Sequence, residues 1–442
     1  MNYCFTEQVD FSDLKSLISK SNCSLTDVLS HRQFRVAFKR QYSLLIVYLS
    51  SKLVELIEIA LSSCNEDNAN IVSNAIFCFT TKAVSFTNHF AVKHAFLRKI
   101  FGFLTQDDFS LDRASSFSMI FSKILKFTTG YILVTFPNKD IFIQNLIKHS
   151  DKPPILDCIS TILLTEFVPV LKFIELNCFV KKIFKEACET NDAERQQNML
   201  GLLCEASRNR ICSILSIATT DNVNVLFTLL YNVESKLSKS MIVSLIINIC
   251  NCLKETNDCN REFKSIINYL LDKIIEIAKY IQENNDFNSF KSILTDLIVY
   301  LIPYKKEHYD TLLDLIFYYF NNLFIFPNTT VLHHHFIILF KLLLQEIPQE
   351  KLEIIIKRIP IAFKNDYKII GASYWHYLYQ ASQLICYFKK EPCNDENWNE
   401  YIQSTYKYIS EKSKLSYGKF NISFLESSDS YYYEEDNFSD YD

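Results

Sequence analysis

The stretch that decides the fold class is residues 242–253, IVSLIINICNCL, where apolar side chains recur every three or four positions. These positions are Ile242, Leu245, Ile246, Ile249, Cys250 and Leu253. Such spacing puts the apolar side chains on one face of an α-helix, whereas a half-buried strand would alternate them. The same spacing occurs at residues 312–324 and 34–49, so we predict one helix in each of these stretches.

Similar runs fill most of the chain and are separated by short polar links, which predicts about twenty helices of roughly 10–20 residues. The clearest links are residues 65–68, 105–108, 190–192, 255–260 and 284–286. We expect helix caps at Ser24, Asp192 and Asn394, because each is a short polar residue at the start of a periodic run.

These features predict an all-α solenoid of stacked HEAT- or armadillo-like helical hairpins over residues 1–415, followed by an acidic, disordered tail at 416–442. Helix pairs that recur about every 35–45 residues can bury their apolar stripes only against neighbouring pairs. A globular all-α bundle is the alternative, although about twenty helices are many for one compact core. The tail either solubilises the chain or docks on a basic surface of a partner.

Composition excludes several classes of protein. The five glycines stand far apart, so the glycine-rich loops of dinucleotide-binding proteins, P-loop hydrolases and kinases are absent from the sequence. The formal net charge is −4 and no three basic residues are consecutive, so we expect no binding to nucleic acid. Seven carboxylates lie in residues 426–442, without a basic residue among them.

The fourteen cysteines are scattered, mostly singly, through apolar runs, which is typical of reduced, buried thiols rather than of a disulfide framework. The first residues, MNYC, do not resemble a signal peptide. Uninterrupted apolar segments reach about a dozen residues, short of the roughly 18 that cross a bilayer. We therefore expect no membrane span and a location in the cytoplasm, and also in the nucleus.

No group of residues has the spacing of a catalytic or metal site. Successive helical residues point about 100° apart, so His333, His334 and His335 cannot close on one ion. Cys250, Cys252 and Cys259 lack the spacing of zinc knuckles or redox pairs. We therefore expect no enzyme activity, no metal and no cofactor, and interpret the chain as a protein that binds another protein.

Two stretches resemble the SAPS-domain family, whose members associate with serine/threonine phosphatases of the protein-phosphatase-six class. The first is residues 24–50, in which SLTDVL leads into FRVAFKRQYSLLIVYLS. The more specific one is residues 191–208, NDAERQQNMLGLLCEASR, which is similar to the family's Asp-x-(Asp/Glu)-Arg-Gln-x-Asn…Leu-Cys segment. Looser similarities lie between the two stretches, at residues 116–126 and 141–149, and after them, at residues 332–344 and 371–388.

The resemblance implies a non-catalytic regulatory or scaffold subunit that binds a type-2A-like serine/threonine phosphatase catalytic subunit and modulates or targets it. The glycine-flanked metal motifs of such a catalytic subunit do not occur in this sequence. Members of the family usually have a longer acidic C-terminal region, and Trp375 stands where they have a glycine beside the histidine. The alternative is a helical-repeat adaptor for nuclear transport or vesicle trafficking, since one fold serves many functions.

The resemblance also singles out candidate partner-binding residues, which are Asp192, Glu194, Arg195, Gln196 and Asn198. This polar set opens a predicted helix, so one interpretation is a cap with inter-helix hydrogen bonds that lock adjacent repeats together. The other interpretation is that Arg195 and Gln196 face a concave groove and contact the phosphatase directly.

Overall fold

The structure is a computed structural model that describes residues 10–90, 93–107, 109–136, 138–209, 212–256, 260–283, 287–305, 310–365, 374–388 and 395–416. All regular secondary structure in these ranges is helical, which confirms the predicted all-α class. The predicted tail at 416–442 lies outside the described residues apart from its first position. Asn394 and the predicted link at 284–286 also lie outside them.

The described helices are α1 (Ser12–Ile18), α2 (Leu25–Ser30), α3 (Phe34–Lys39), α4 (Ser43–Ser51), α5 (Leu53–Ala60), α6 (Ala69–Thr80), α7 (Val84–Thr87), α8 (His94–Gly102), α9 (Leu111–Phe127), α10 (Tyr131–Thr135), α11 (Lys139–Lys148), α12 (Pro153–Leu163), α13 (Val168–Leu176), α14 (Phe179–Glu189), α15 (Ala193–Arg208), α16 (Thr220–Asn232), α17 (Lys236–Glu255), α18 (Asn260–Gln282), α19 (Ser289–Leu301), α20 (Asp310–Ile325), α21 (Thr330–Leu343), α22 (Gln349–Asn365), α23 (Tyr374–Phe388), α24 (Glu396–Tyr401) and α25 (Lys407–Ser416). They are more numerous than the predicted twenty, and several are shorter than ten residues. Short 3₁₀ turns follow α8, α19 and α21, and a π turn joins α24 to α25.

The prediction of one helix over residues 34–49 is wrong, because the chain ends α3 and begins α4 within this stretch. Gln41 adopts a left-handed conformation with φ of 53°. The Tyr42 N–H donates to the Ala37 carbonyl, and the Gln41 N–H donates to the Phe38 carbonyl, both at 2.9 Å. These two bonds form a Schellman motif, which terminates a helix. Glycine is the usual residue at the left-handed position, so the spacing of apolar residues gave no sign of the break.

Two of the three predicted caps are confirmed. The Ser24 hydroxyl accepts from the Asp27 N–H at 3.1 Å, and the Asp27 carboxylate accepts in turn from the Ser24 N–H, which is a capping box. The Asp192 side chain caps α15. At the third position the cap of α24 is Asp395, whose carboxylate accepts from the Trp398 N–H at 2.9 Å.

The chain divides into two compact units. The first unit comprises residues 1–274 and 288–301, and the second comprises residues 275–287 and 302–442. The prediction of a single domain over 1–415 stays a prediction. Within the second unit, α20 packs on α21, α21 packs on α23, and α22 contacts both α23 and α24.

In the first unit, one series of helices packs in chain order. Helix α6 packs on α9, α9 on α12, α12 on α15, α15 on α17, and α17 on α19. A second series runs beside it, in which α11 contacts α14 and α14 contacts α16. Contacts between successive helix pairs therefore bury the apolar stripes that the sequence pattern predicts.

Hydrogen bonds between helix pairs of the first unit join residues from 37 positions apart, as in Cys204–Met241, to 52 positions apart, as in Leu61–Arg113. Six of them join residues 45 positions apart, namely Leu29–Asn74, Leu104–His149, Ser160–Glu205, Ser207–Cys252, Thr220–Ser265 and Asn224–Tyr269. In the second unit, Lys351–Asp314 and Arg358–Asn321 are both 37 positions apart. These bonds join helices that are separated by similar lengths of chain within each unit.

Gly130, the residue before α10, lies against α13. This residue has φ of +80°, in the left-handed region that glycine adopts without steric cost. A Cβ atom built at this position would lie 2.3 Å from Cγ2 of Val170 on α13. The helices can pack at this distance only because the side chain is a hydrogen atom.

Candidate partner-binding site

The candidate residues lie at the turn between α14 and α15. The Asp192 carboxylate oxygen Oδ1 accepts from the backbone N–H groups of Glu194, at 3.0 Å, and Arg195, at 3.1 Å. The Thr190 hydroxyl accepts from the Asp192 N–H at 3.2 Å. Short polar side chains are favoured here because they satisfy the amide groups that the first turn of a helix leaves unpaired.

Two of the candidate side chains turn back to the preceding helix. The Gln196 amide nitrogen Nε2 donates to the Ala187 carbonyl at 3.1 Å, near the C-terminus of α14. Arg195 Nη1 lies 3.5 Å from Glu186 Oε1, and both side chains are only partly exposed. Arg195 Nε is buried and makes no hydrogen bond within the described structure. These contacts join the first turn of α15 to the last turn of α14.

Asn198 connects α15 to a more distant part of the chain. Its amide nitrogen Nδ2 donates to the Ser150 carbonyl at 3.2 Å, just beyond the C-terminus of α11. Ser150 is fully buried, so this carbonyl lies away from bulk water and gains from a protein donor. Glu194, by contrast, is exposed and forms no hydrogen bond or ion pair through its side chain among the described residues.

The rest of α15 is also tied to its neighbours. Ser160 on α12 donates to the Glu205 carboxylate at 3.1 Å. On the other side, Asn248 on α17 donates to the Ser207 hydroxyl at 3.0 Å, and the Cys204 thiol donates to the Met241 carbonyl at 3.1 Å. Helix α15 thereby bonds to α12, α14 and α17. The reasoning from sequence did not find these partners, because each lies far from α15 along the chain.

The geometry agrees with the cap-and-lock interpretation of the candidate set. Asp192 caps the helix, Gln196 and Asn198 bond to other elements, and Arg195 faces Glu186. The side chains that the second interpretation assigns to a partner surface are therefore occupied with contacts inside the protein. Glu194 is the member of the set whose side chain faces solvent without a partner in the described structure.

The predicted separation of the three consecutive histidines is observed. His333 and His335 are buried, whereas His334 is exposed. His333 Nε2 donates to the Phe326 carbonyl at 3.0 Å, and burial lowers the pKa of its imidazole. Among the described residues no three His, Cys, Asp or Glu side chains converge as metal ligands would.

The prediction of buried thiols is right for half of the ten cysteines whose side chains the structure describes, all of which are free. Burial raises the pKa of Cys158, Cys204 and Cys250 to about 12, so these thiols stay protonated and unreactive. Cys64, Cys178 and Cys386 are exposed, contrary to the prediction. Cys178 is exposed because it lies in the turn before α14, where its φ is 50°.

Helix α17 is long and apolar enough to cross a membrane by length and composition, and 44% of its most apolar window is buried inside the protein. It has 20 residues, because the helix extends beyond the apolar run that the sequence shows. Helices α12 and α13 meet the same test together, although they are bent by 106° at their link. Helix α17 contacts α15, α16 and α19, so its apolar side chains pack against other helices.

The five candidate residues therefore form one connected region at the start of α15, in which four side chains contact the protein itself and Glu194 faces solvent. Their assignment to partner binding, and the membership of the SAPS-domain family from which it comes, stay predictions. No protein-family model matches this chain, and no curated protein sequence matches it.

Proposed function

We propose that the chain is a non-catalytic scaffold built from stacked helical repeats, and that it binds a type-2A-like serine/threonine phosphatase catalytic subunit. The observation that carries the scaffold is that six hydrogen bonds between helices of the first unit join positions 45 residues apart, and others join positions 41 and 42 residues apart. A bond between equivalent positions of neighbouring repeats spans one repeat length, and about 40–47 residues is the length of HEAT and armadillo repeats.

The choice of a phosphatase rests on the resemblance of residues 191–208 to the SAPS-domain family. In this proposal the polar side chains of that segment have two tasks. Asp192 caps α15, and Gln196 and Asn198 hold this helix against α14 and the end of α11. Glu194 stands at the exposed edge of the same turn and is available to a partner.

An exposed apolar strip offers a second contact area for the phosphatase. Tyr131 and Val134 are exposed on α10, and Val168, Leu171 and Leu176 are exposed on α13. Leu176, the last residue of α13, is 80% exposed. Because α10 packs on α13 at Gly130, these side chains belong to adjacent helices. Adjacent apolar side chains of this kind commonly mark protein interaction sites.

Affinity purification of the tagged chain, followed by mass spectrometry, tests the identity of the partner. A type-2A-like catalytic subunit recovered in about equal amount with the chain is the expected result. A small GTPase, transport receptor or coat subunit as the main stoichiometric partner would instead favour the adaptor for nuclear transport or vesicle trafficking.

A charge reversal at Glu194 tests the proposed contact edge. Glu194→Lys should weaken recovery of the phosphatase while the unfolding temperature changes little, because the side chain makes no contact within the described structure. Glu396→Lys is the matched control, since Glu396 is also an exposed acid in the first turn of a helix, on α24. Equal recovery of the phosphatase by both variants would contradict a partner contact at Glu194.

A further inference from the structure

A groove of about 390 Å³ lies between α5 and α8, next to the start of α9. Its apolar lining includes Ile57, Leu61 and Phe103, which are buried. Gly102, the last residue of α8, also lines the groove, and a Cβ atom there would meet no atom within 4 Å. The groove therefore has open space above an apolar floor.

Positive charge surrounds this floor. Arg98, Lys99 and Arg113 line the groove together with one carboxylate, that of Glu58. Lys99 Nζ lies 2.5 Å from Glu58 Oε1, so the carboxylate is already paired. Neither Arg98 nor Arg113 contacts a carboxylate among the described residues. In the part of the chain that the structure describes, two arginines of the lining are therefore not paired with a carboxylate.

One of the two guanidinium groups is held in place by the protein. Arg113 Nε donates to the Leu61 carbonyl at 2.8 Å, and the guanidinium carbon lies 5.1 Å from the centre of the Phe103 ring. These contacts use one of the five N–H donors and one face of the guanidinium plane, and they leave the terminal NH₂ groups as donors. A pre-organised arginine loses less entropy when it binds an anion than a freely rotating one.

We propose that this groove binds a phosphorylated serine or threonine side chain of a protein segment. A phosphate monoester carries a larger negative charge and more acceptor oxygens than a carboxylate does. Two guanidinium groups therefore match a phosphate monoester better than they match a single carboxylate. The apolar floor would receive an aliphatic side chain next to the phosphorylated residue, which a nucleic acid backbone does not provide. This inference does not depend on the phosphatase, because it concerns the isolated chain and its own ligand.

The first test uses the purified full-length chain and an oriented library of phosphoserine and phosphothreonine peptides with degenerate flanking positions. Retention of phosphorylated peptides with aliphatic neighbours, well above that of the unphosphorylated twin library, is the expected result. Equal retention of the two libraries would overturn the proposal. Inorganic phosphate that competes as strongly as the retained peptides would overturn the assignment to a peptide.

The second test measures the affinity of the best peptide by fluorescence anisotropy for three variants. Arg98→Gln should weaken binding roughly tenfold to a hundredfold, the loss of a charged hydrogen-bond donor, without a change in folding. Glu58→Gln should tighten binding, because it removes the opposing carboxylate and releases Lys99. Arg32→Gln, an exposed arginine paired with Asp13 elsewhere in the first unit, is the matched control and should bind as the parent does. Unchanged affinity in Arg98→Gln would refute the site.

Discussion

Replacing Asn198 by alanine should loosen the contact between α15 and the end of α11. The change removes the donor that lies 3.2 Å from the Ser150 carbonyl, and Ser150 is fully buried. Leaving a buried carbonyl without its donor costs about 2 kcal/mol. Alanine recovers about 0.6 kcal/mol through its higher helix propensity. The net loss of about 1.4 kcal/mol corresponds to a tenfold rise in the local opening equilibrium.

Amide hydrogen exchange read by mass spectrometry is the suitable assay, because it reports opening of separate segments. Peptides covering the start of α15 and the end of α11 should exchange about tenfold faster in Asn198→Ala. Tryptophan fluorescence would not report this change, since Trp375 and Trp398 both belong to the second unit. Glu194→Ala is the control. Because the Glu194 side chain is exposed, this variant should show the same exchange rate as the parent protein in both segments, within error.

Unchanged exchange at the end of α11 in Asn198→Ala would refute the cap-and-lock description of this segment. If the same variant also lost the phosphatase, Asn198 would act at the partner surface instead. A rise in exchange at both segments, with the phosphatase still bound, would assign the residue to holding the helices together. The two readouts therefore separate the interpretations that the sequence leaves open.

Three further predictions concern other parts of the chain. Burial lowers the pKa of His149, so the folded state binds a proton less readily than the unfolded state. The free energy of unfolding should therefore fall as the pH drops below about 6.5, by up to roughly 1.4 kcal/mol per pH unit. The measurement is urea unfolding from pH 7.5 to 5, and a slope that His149→Gln leaves unchanged would contradict this origin. Gly130→Ala should destabilise the folded protein by about 3 kcal/mol, because alanine adds backbone strain and overpacking at this position. Gly102→Ala should stabilise it by about 0.5–1 kcal/mol, because a Cβ atom there meets no other atom. Thermal unfolding that gives the opposite order of stability would contradict the described packing. Maleimide labelling of the native protein should modify Cys178 promptly and Cys204 only after denaturation, and fast native labelling of Cys204 would count against its burial.

The helical class could be predicted because helix periodicity is a local property. The run at residues 242–253 lies inside α17, and the caps at Ser24 and Asp192 depend on neighbours within three residues. The break at Gln41 could not be predicted from that pattern, because a left-handed glutamine has no compositional signal. Local spacing thus indicates where helices form more reliably than where they end.

The candidate site was predictable only in part. A cap at Asp192 follows from its place before the helix, but the partner of Asn198 is 48 positions away and is fixed by packing. The exposure of Cys178 likewise depends on a turn that the sequence does not mark. A fixed offset of 45 positions, as in three bonds elsewhere in the first unit, would not have located the partner of Asn198 either.

Zero-length carbodiimide cross-linking of the native chain, read by mass spectrometry, tests the stacking of helical repeats most directly. The ion pairs of the first unit include Lys148 with Asp107 and Lys182 with Asp140, which are 41 and 42 positions apart. Lysine–carboxylate pairs within one helix, such as Lys52 with Glu55, should cross-link in any arrangement. If the repeats stack, cross-links between different helix pairs of the first unit should join residues about one repeat length of 40–47 positions apart. Abundant cross-links there between residues more than about two repeat lengths apart would contradict a stack and favour a globular bundle.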